Sequence, residues 1–173
     1  MMKYLYTLLV LTCLFLFGCE RDDICTAETG TTPRLTIAFY SAENPEQLNP
    51  KNVFNCRVQG IGNEQTLPEL SGAQSRQVIS LPLKTTDTKT QYSIYNNYEQ
   101  TDAGVVTGNE DIITISYITE QVYVSRACGF KTVFKNINIT VNDDGDKWIK
   151  IIQSVNDNQI LENENATNFN IFH

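Results

Sequence analysis

The chain has 173 residues, with 13 Lys and Arg against 20 Asp and Glu, and a formal charge of −7. That length suits one domain at about 150 residues per domain. An acidic chain with no basic stripe argues against a phosphate-backbone partner, so no nucleic acid is expected. The single histidine, His173, is the last residue, which leaves little basis for histidine acid/base chemistry or metal ligation.

Residues 1 to 18 read as a secretion signal. Lys3 supplies the positive start, and Tyr4 to Phe17 is an apolar run of 14 residues. A membrane-spanning helix needs about 20, so the run suits a signal-peptide core. It ends in Leu16-Phe17-Gly18-Cys19, which resembles the bacterial lipobox, where a small residue precedes a cysteine that is acylated after cleavage. Cys19 is therefore the expected lipidation site, anchoring the protein to a membrane without spanning it. Several acyl chains hold stably where a single one would not. Glu20-Arg21-Asp22-Asp23 resembles the acidic export tags of Bacteroidota-type outer-membrane lipoproteins, which implies an envelope location and possible surface exposure. Losing residues 1 to 18 removes Lys3 and no acid, so the charge moves from −7 to −8. Residues 19–33 form the tether, and residues 34–173 the domain.

Three cysteines remain after Cys13 in the signal and Cys19 at the lipid site are set aside. An oxidising compartment favours one pair and one spare. Phe54, Cys56 and Val58 alternate with polar residues, which puts Cys56 on the apolar face of a strand as core filler. Cys25 lies among polar tether residues and Cys128 at a strand end before Gly129, so the expected bridge is Cys25 to Cys128. Closing a loop of about 100 residues is worth up to about 4.7 kcal/mol in the chain-entropy model.

From Arg34 onward the apolar residues recur at every second position, the period of strands. Leu35, Ile37 and Phe39 form one such set and Ile79, Leu81 and Leu83 another. Pro82 marks the latter as an edge strand. Tyr92 and Ile94 follow. Ile113 to Tyr117 and Val122 to Cys128 read as a hairpin turning near Thr119 and Glu120. Ile137 to Val141 reads as joined to Trp148 to Ile152 by the turn Asn142-Asp143-Asp144-Gly145, and Phe169 to Ile171 as a last strand. About nine strands in one domain predict an all-β, single antiparallel sandwich, immunoglobulin-like or related. The irregular stretches from Ser41 to Lys51 and from Gly62 to Gln77 are the longest loops.

Few residues carry chemistry. Asn142 to Asp146 fails the calcium-loop spacing, with Thr140 and Ile151 where ligands belong. Arg126, read as lying inside an apolar strand, suits a structural salt bridge. Tyr92, Tyr95, Tyr98, Tyr117 and Tyr123 with Trp148 could form a weak glycan platform. Asp102 and Glu110 are the acid pair to test for hydrolysis, though nothing in the sequence brings them together. No nucleophile elbow, phosphate loop or Cys-x-x-Cys occurs. No cofactor, metal or catalytic residue is expected.

Cys19-Glu20-Arg21-Asp22-Asp23-Ile24-Cys25, Thr32-Pro33-Arg34-Leu35 with Phe39-Tyr40, Tyr123-Val124-Ser125-Arg126-Ala127-Cys128-Gly129 and Asn163-Glu164-Asn165-Ala166 together resemble a Bacteroidota envelope lipoprotein family of unknown function. The resemblance implies a β-rich domain outside the inner membrane and agrees with the cysteine pair. It supplies no activity, and Cys56 is not part of it. The expected function is a non-enzymatic structural or accessory component of the cell envelope with a protein partner. The alternative is a glycan- or peptide-binding module.

Overall fold

The computed structural model describes Cys25, residues 31–63 and residues 65–173. The expected signal segment 1–18, the expected lipid site Cys19 and most of the expected tether lie outside the described residues. Nine strands are present among them: β1 (Leu35–Tyr40), β2 (Val53–Gly60), β3 (Gln74–Arg76), β4 (Val78–Leu81), β5 (Lys89–Gln100), β6 (Val106–Ser125), β7 (Gly129–Val141), β8 (Ile151–Ser154) and β9 (Phe169–Phe172). No helix among the described residues is long and apolar enough to cross a membrane.

The strands form a four-stranded sheet, β4-β1-β9-β8, and a five-stranded sheet, β3-β2-β5-β6-β7. All pairings are antiparallel except β1 with β9, which run parallel from Ile37 opposite Phe169 to Tyr40 opposite Phe172. Asn168 extends that pair. Its side-chain Oδ1 accepts the Thr36 N–H at 2.8 Å, and its own N–H donates to the Thr36 carbonyl at 2.8 Å. As the alternation requires, Leu35, Ile37 and Phe39 from one sheet meet Val58, Ile94, Ile113 and Ile115 from the other in a single core. β4 is an edge strand, as Pro82 just beyond it predicts. Cys56 is fully buried and unpaired, and burial pushes its thiol up to about 11.

Two connections differ from the sequence reading. The first concerns Thr119 and Glu120, which make no turn: Ile113–Tyr117 and Val122–Ser125 belong to one strand, β6. Its inward face carries Asp111, Ile113, Ile115 and Tyr117 inside the sandwich. Beyond Tyr117 the strand leaves the core, so the same face becomes Thr119, Gln121 and Tyr123, and the loss of apolar residues imitates a break. None of residues 118–121 is a Gly, Pro, Asn or Asp that would reverse the chain. Glu120 instead pairs across the ladder with Lys135. A bulge opposite Tyr117, with Asn136 at φ 53°, shifts the inward side of β7 from Ile139 and Ile137 to Phe134.

The second difference concerns Asn142 to Gly145, which does not close a hairpin. It carries the chain from β7 in one sheet to β8 in the other. Asp143 and Asp144 accept N–H bonds from residues two places on, Gly145 and Asp146, as turn aspartates do.

Since β9 sits inside its sheet, Ile171→Ala is expected to cost about 2–5 kcal/mol in urea denaturation. Ile151→Ala, on the exposed face of β8, should cost under about 1 kcal/mol. Equal losses would contradict the central placing of β9.

Candidate functional site

The ends of β6 and β7 project past β5, whose pairing with β6 stops at Lys89 opposite Ser116. The arm turns at residues 126–128 and re-enters β7 at Gly129, whose φ of 68° favours glycine. Ser125 Oγ accepts the Cys128 N–H at 3.1 Å and fixes the turn. Cys128 is bonded to Cys25, with Cα atoms 5.1 Å apart across a sequence separation of 103. The tether is thereby joined to the hairpin apex. Along the flank of the arm, Thr32 Oγ1 accepts the Thr132 N–H at 3.1 Å, and Phe134 and Leu161 exchange backbone bonds of 3.1 and 2.8 Å. Arg126 is exposed in the apex turn, not inside a strand, and forms no ion pair among the described residues.

The aromatic set does not assemble into a platform. Tyr92, Tyr98, Tyr117 and Trp148 are buried, and their polar tips are bonded internally. Tyr92 OH donates to the Pro82 carbonyl, Tyr117 OH donates to the Lys84 carbonyl at 2.9 Å, and Trp148 Nε1 donates to the Ile94 carbonyl at 3.3 Å. Tyr95 is half-buried. Only Tyr123 of the six is exposed, paired edge-on with Phe130 at 5.4 Å between ring centroids. β-Propensity and a polar tip placed these rings in the core, which residue type alone does not distinguish from a sugar-stacking face.

A polar row missed by sequence reasoning crosses the outer face of the large sheet. Register sets Arg57 beside Tyr95 and Tyr95 beside Glu110. Arg57 Nη1 donates to Tyr98 OH at 2.9 Å, and Ser93 Oγ donates to Glu110. Burial, with Glu110 next in weight, pushes the Tyr95 hydroxyl up to about 12. The row reads as a cross-strand ladder, because every member is engaged by a neighbour. Asp102 lies in the exposed turn after β5, about five residues along the hairpin from the position of Glu110, so the two carboxylates do not meet. Gly108, at φ 112°, closes that hairpin's bulge: a Cβ there would lie 2.6 Å from the Asn97 carbonyl oxygen.

Asp111 is the one fully buried acid among the described residues. Its Oδ2 accepts the Ile149 N–H at 2.7 Å, and Oδ1 has no partner among the described residues. It fastens the β7 to β8 crossing to the core. Its phase with Ile113 and Ile115 is a signal readable in the sequence. His173 is packed edge-on against Phe39 and Trp148 at 6.1 and 5.4 Å, and burial lowers its pKa. No group of three or more His, Cys, Asp or Glu side chains able to hold a metal ion occurs among the described residues. Two of the open grooves among the described residues are lined by β8 or its sequence neighbours. One of about 550 Å³ lies along Val155 to Asn168, and one of about 510 Å³ lies between β7 and β8, lined by Ile139, Val141, Ile149 and Ile152.

Fold and site together define an antiparallel-rich β-sandwich whose hairpin apex is disulfide-bonded to the segment preceding the domain. The chain belongs to a family of unknown function, DUF6452, whose model matches residues 55–173, from within β2 to the end of β9. That span includes Ser125–Gly129 and Asn163–Ala166; Cys25 and β1 precede it. No curated protein and no solved structure matches the chain.

Burial raises the Asp111 pKa, so the protonated form favours the fold. This contribution is complete below the unfolded value and is lost as pH rises through the raised folded one. In urea denaturation, wild-type protein should therefore lose stability relative to Asp111→Asn as pH rises above about 4. A difference that stays constant with pH would contradict the burial argument.

Proposed function

We propose that the protein is a lipoprotein of a Bacteroidota-type cell envelope, held at the outer membrane by acylated Cys19, and that its β-sandwich serves as a non-enzymatic structural or accessory subunit. The observation that carries this reading is the Cys25–Cys128 bond. Only six residues lead from Cys19 to Cys25, a reach of about 20 Å at 3.3–3.6 Å per residue. A lipid on Cys19 then keeps the folded domain beside the bilayer instead of on a long leash. Leu16-Phe17-Gly18-Cys19 and the acidic Glu20-Arg21-Asp22-Asp23 support the anchor and the outer-membrane address. The engagement of Glu110 and Asp111 in structural bonds supports a non-enzymatic role.

A peptide-binding module is the second reading, favoured by the free edge of β7. The bonds of Ile137 N–H to Gln159 and of Asn142 N–H to Ile112 fix the alternation there. Backbone groups of Ile139 and Val141 accordingly face away from β6, toward the groove beside β8, where an added strand could pair.

Wild-type protein expressed in a diderm host should enter the detergent phase on Triton X-114 partition and carry a multiply acylated Cys19 by mass spectrometry. Cys19→Ala should move to the aqueous phase. Identical partition of the two would overturn the anchor.

A further inference from the structure

We infer that the apex of the β6–β7 hairpin is a membrane-docking surface that rests in the headgroup region of the lipid bilayer carrying the anchor. The inference depends on the lipid-anchor reading above and adds to it which face of the domain meets the membrane.

Three independent observations converge on the apex. The first is apolar exposure: Tyr123 is 55% and Phe130 66% exposed, and Phe130 is the most exposed large apolar side chain among the described residues. The two rings stand on one face of the arm in mutual contact. A ring pair this open has no packing role in the sandwich, whereas an amphipathic tyrosine beside a phenylalanine suits the boundary between headgroups and acyl chains.

The second is charge. Residues 118–135 hold Arg126, Lys131 and Lys135 against Glu120 alone, in a chain of formal charge −7. Glu120 is taken by Lys135, so Arg126 and Lys131 remain as cations near the tip. Among the described residues, Lys131 Nζ donates to the Glu162 carbonyl oxygen at 2.9 Å. Long basic side chains beside exposed rings can reach phosphates while their stems cover apolar surface. The tether's own Glu20, Asp22, Asp23 and Glu28 oppose this attraction, so the rings must supply most of the binding.

The third is reach. Cys128 lies two residues before Phe130 and is bonded to Cys25, six residues from Cys19. The headgroup layer on each side of the hydrocarbon is about 5–7 Å thick. A tether of at most about 20 Å keeps the apex within reach of that layer. The β5–β6 turn lies at the opposite end of β6, about 65 Å away along a strand of twenty residues.

The test places tryptophan at each end of β6 in the acylated full-length mature protein. Phe130→Trp reports the apex and Val105→Trp the far turn; both positions are exposed, and buried Trp148 is common background. The proteins are reconstituted in vesicles of phosphatidylethanolamine and phosphatidylglycerol carrying nitroxide-labelled acyl chains. Intact mass reads acylation in the same samples. Wild-type hydrogen exchange at residues 122–131, with and without vesicles, provides a measurement free of substitution. The expected result is quenching of Phe130→Trp several-fold stronger than that of Val105→Trp, together with slowed exchange at the apex. Acylated protein showing equal quenching, none, or more at Val105→Trp would overturn the docking surface while leaving the anchor intact. Protein without acyl chains would overturn the anchor and the docking surface with it.

Discussion

A single strand of twenty residues, Val106–Ser125, joins the buried core to the exposed apex. One face of β6 supplies Ile113, Ile115 and Tyr117 to the sandwich, and then, past the last β5 pairing, continues as Thr119, Gln121 and Tyr123 on the arm. The core thus holds the base of the arm rigidly. Tyr117 packs edge-on against Phe134 at 5.1 Å and bonds to Thr90 and Lys84, so the strand is fixed where it leaves the second layer. Anything bonded to the tip is thereby bonded to the whole domain, which gives the disulfide its leverage.

That disulfide closes a loop of about 100 residues that contains β1 to β6. In the chain-entropy model it restricts the unfolded ensemble by up to about 4.7 kcal/mol. Its second effect is geometric. Cys25 belongs to the tether, and bonding it to the apex leaves five residues between it and Cys19, the proposed lipid site. Stability and orientation then depend on one covalent bond, while the third thiol, Cys56, is removed from competition by full burial between the sheets.

Much of this was legible in the sequence wherever one physical signal dominated. Alternation identified β1, β2, β4 and β9, Pro82 marked β4 as an edge, and the contrast between polar surroundings for Cys25 and an apolar strand for Cys56 selected the bridge. The errors arose where two signals give the same pattern. Thr119, Glu120 and Gln121 look like a turn because a strand leaving the core loses its apolar face just as a loop does. Asn142-Asp143-Asp144-Gly145 has the chemistry of a tight reversal, yet reversal within a sheet and crossing between sheets use the same residues. Arg126 was misplaced with the first of these. Tyr92, Tyr98, Tyr117 and Trp148 could not be assigned to core or surface by residue type, because their hydroxyl and indole groups find internal acceptors. Asp111 was overlooked although its phase with Ile113 put it on the buried face.

If one chain segment carries both the proposed lipid and the bond that fixes the domain to it, a non-reducing tryptic map of the mature protein will show both on neighbouring peptides. Cleavage at the arginines and lysines of the sequence separates Cys19-Glu20-Arg21, residues 22–34 with Cys25, residues 52–57 with Cys56 and residues 127–131 with Cys128. The expected map holds an acylated first peptide, a single cross-linked species joining the peptides of Cys25 and Cys128, and Cys56 alkylated only after denaturation. Cys25 and Cys128 alkylated in the native protein, or Cys56 found in a cross-link, would contradict it.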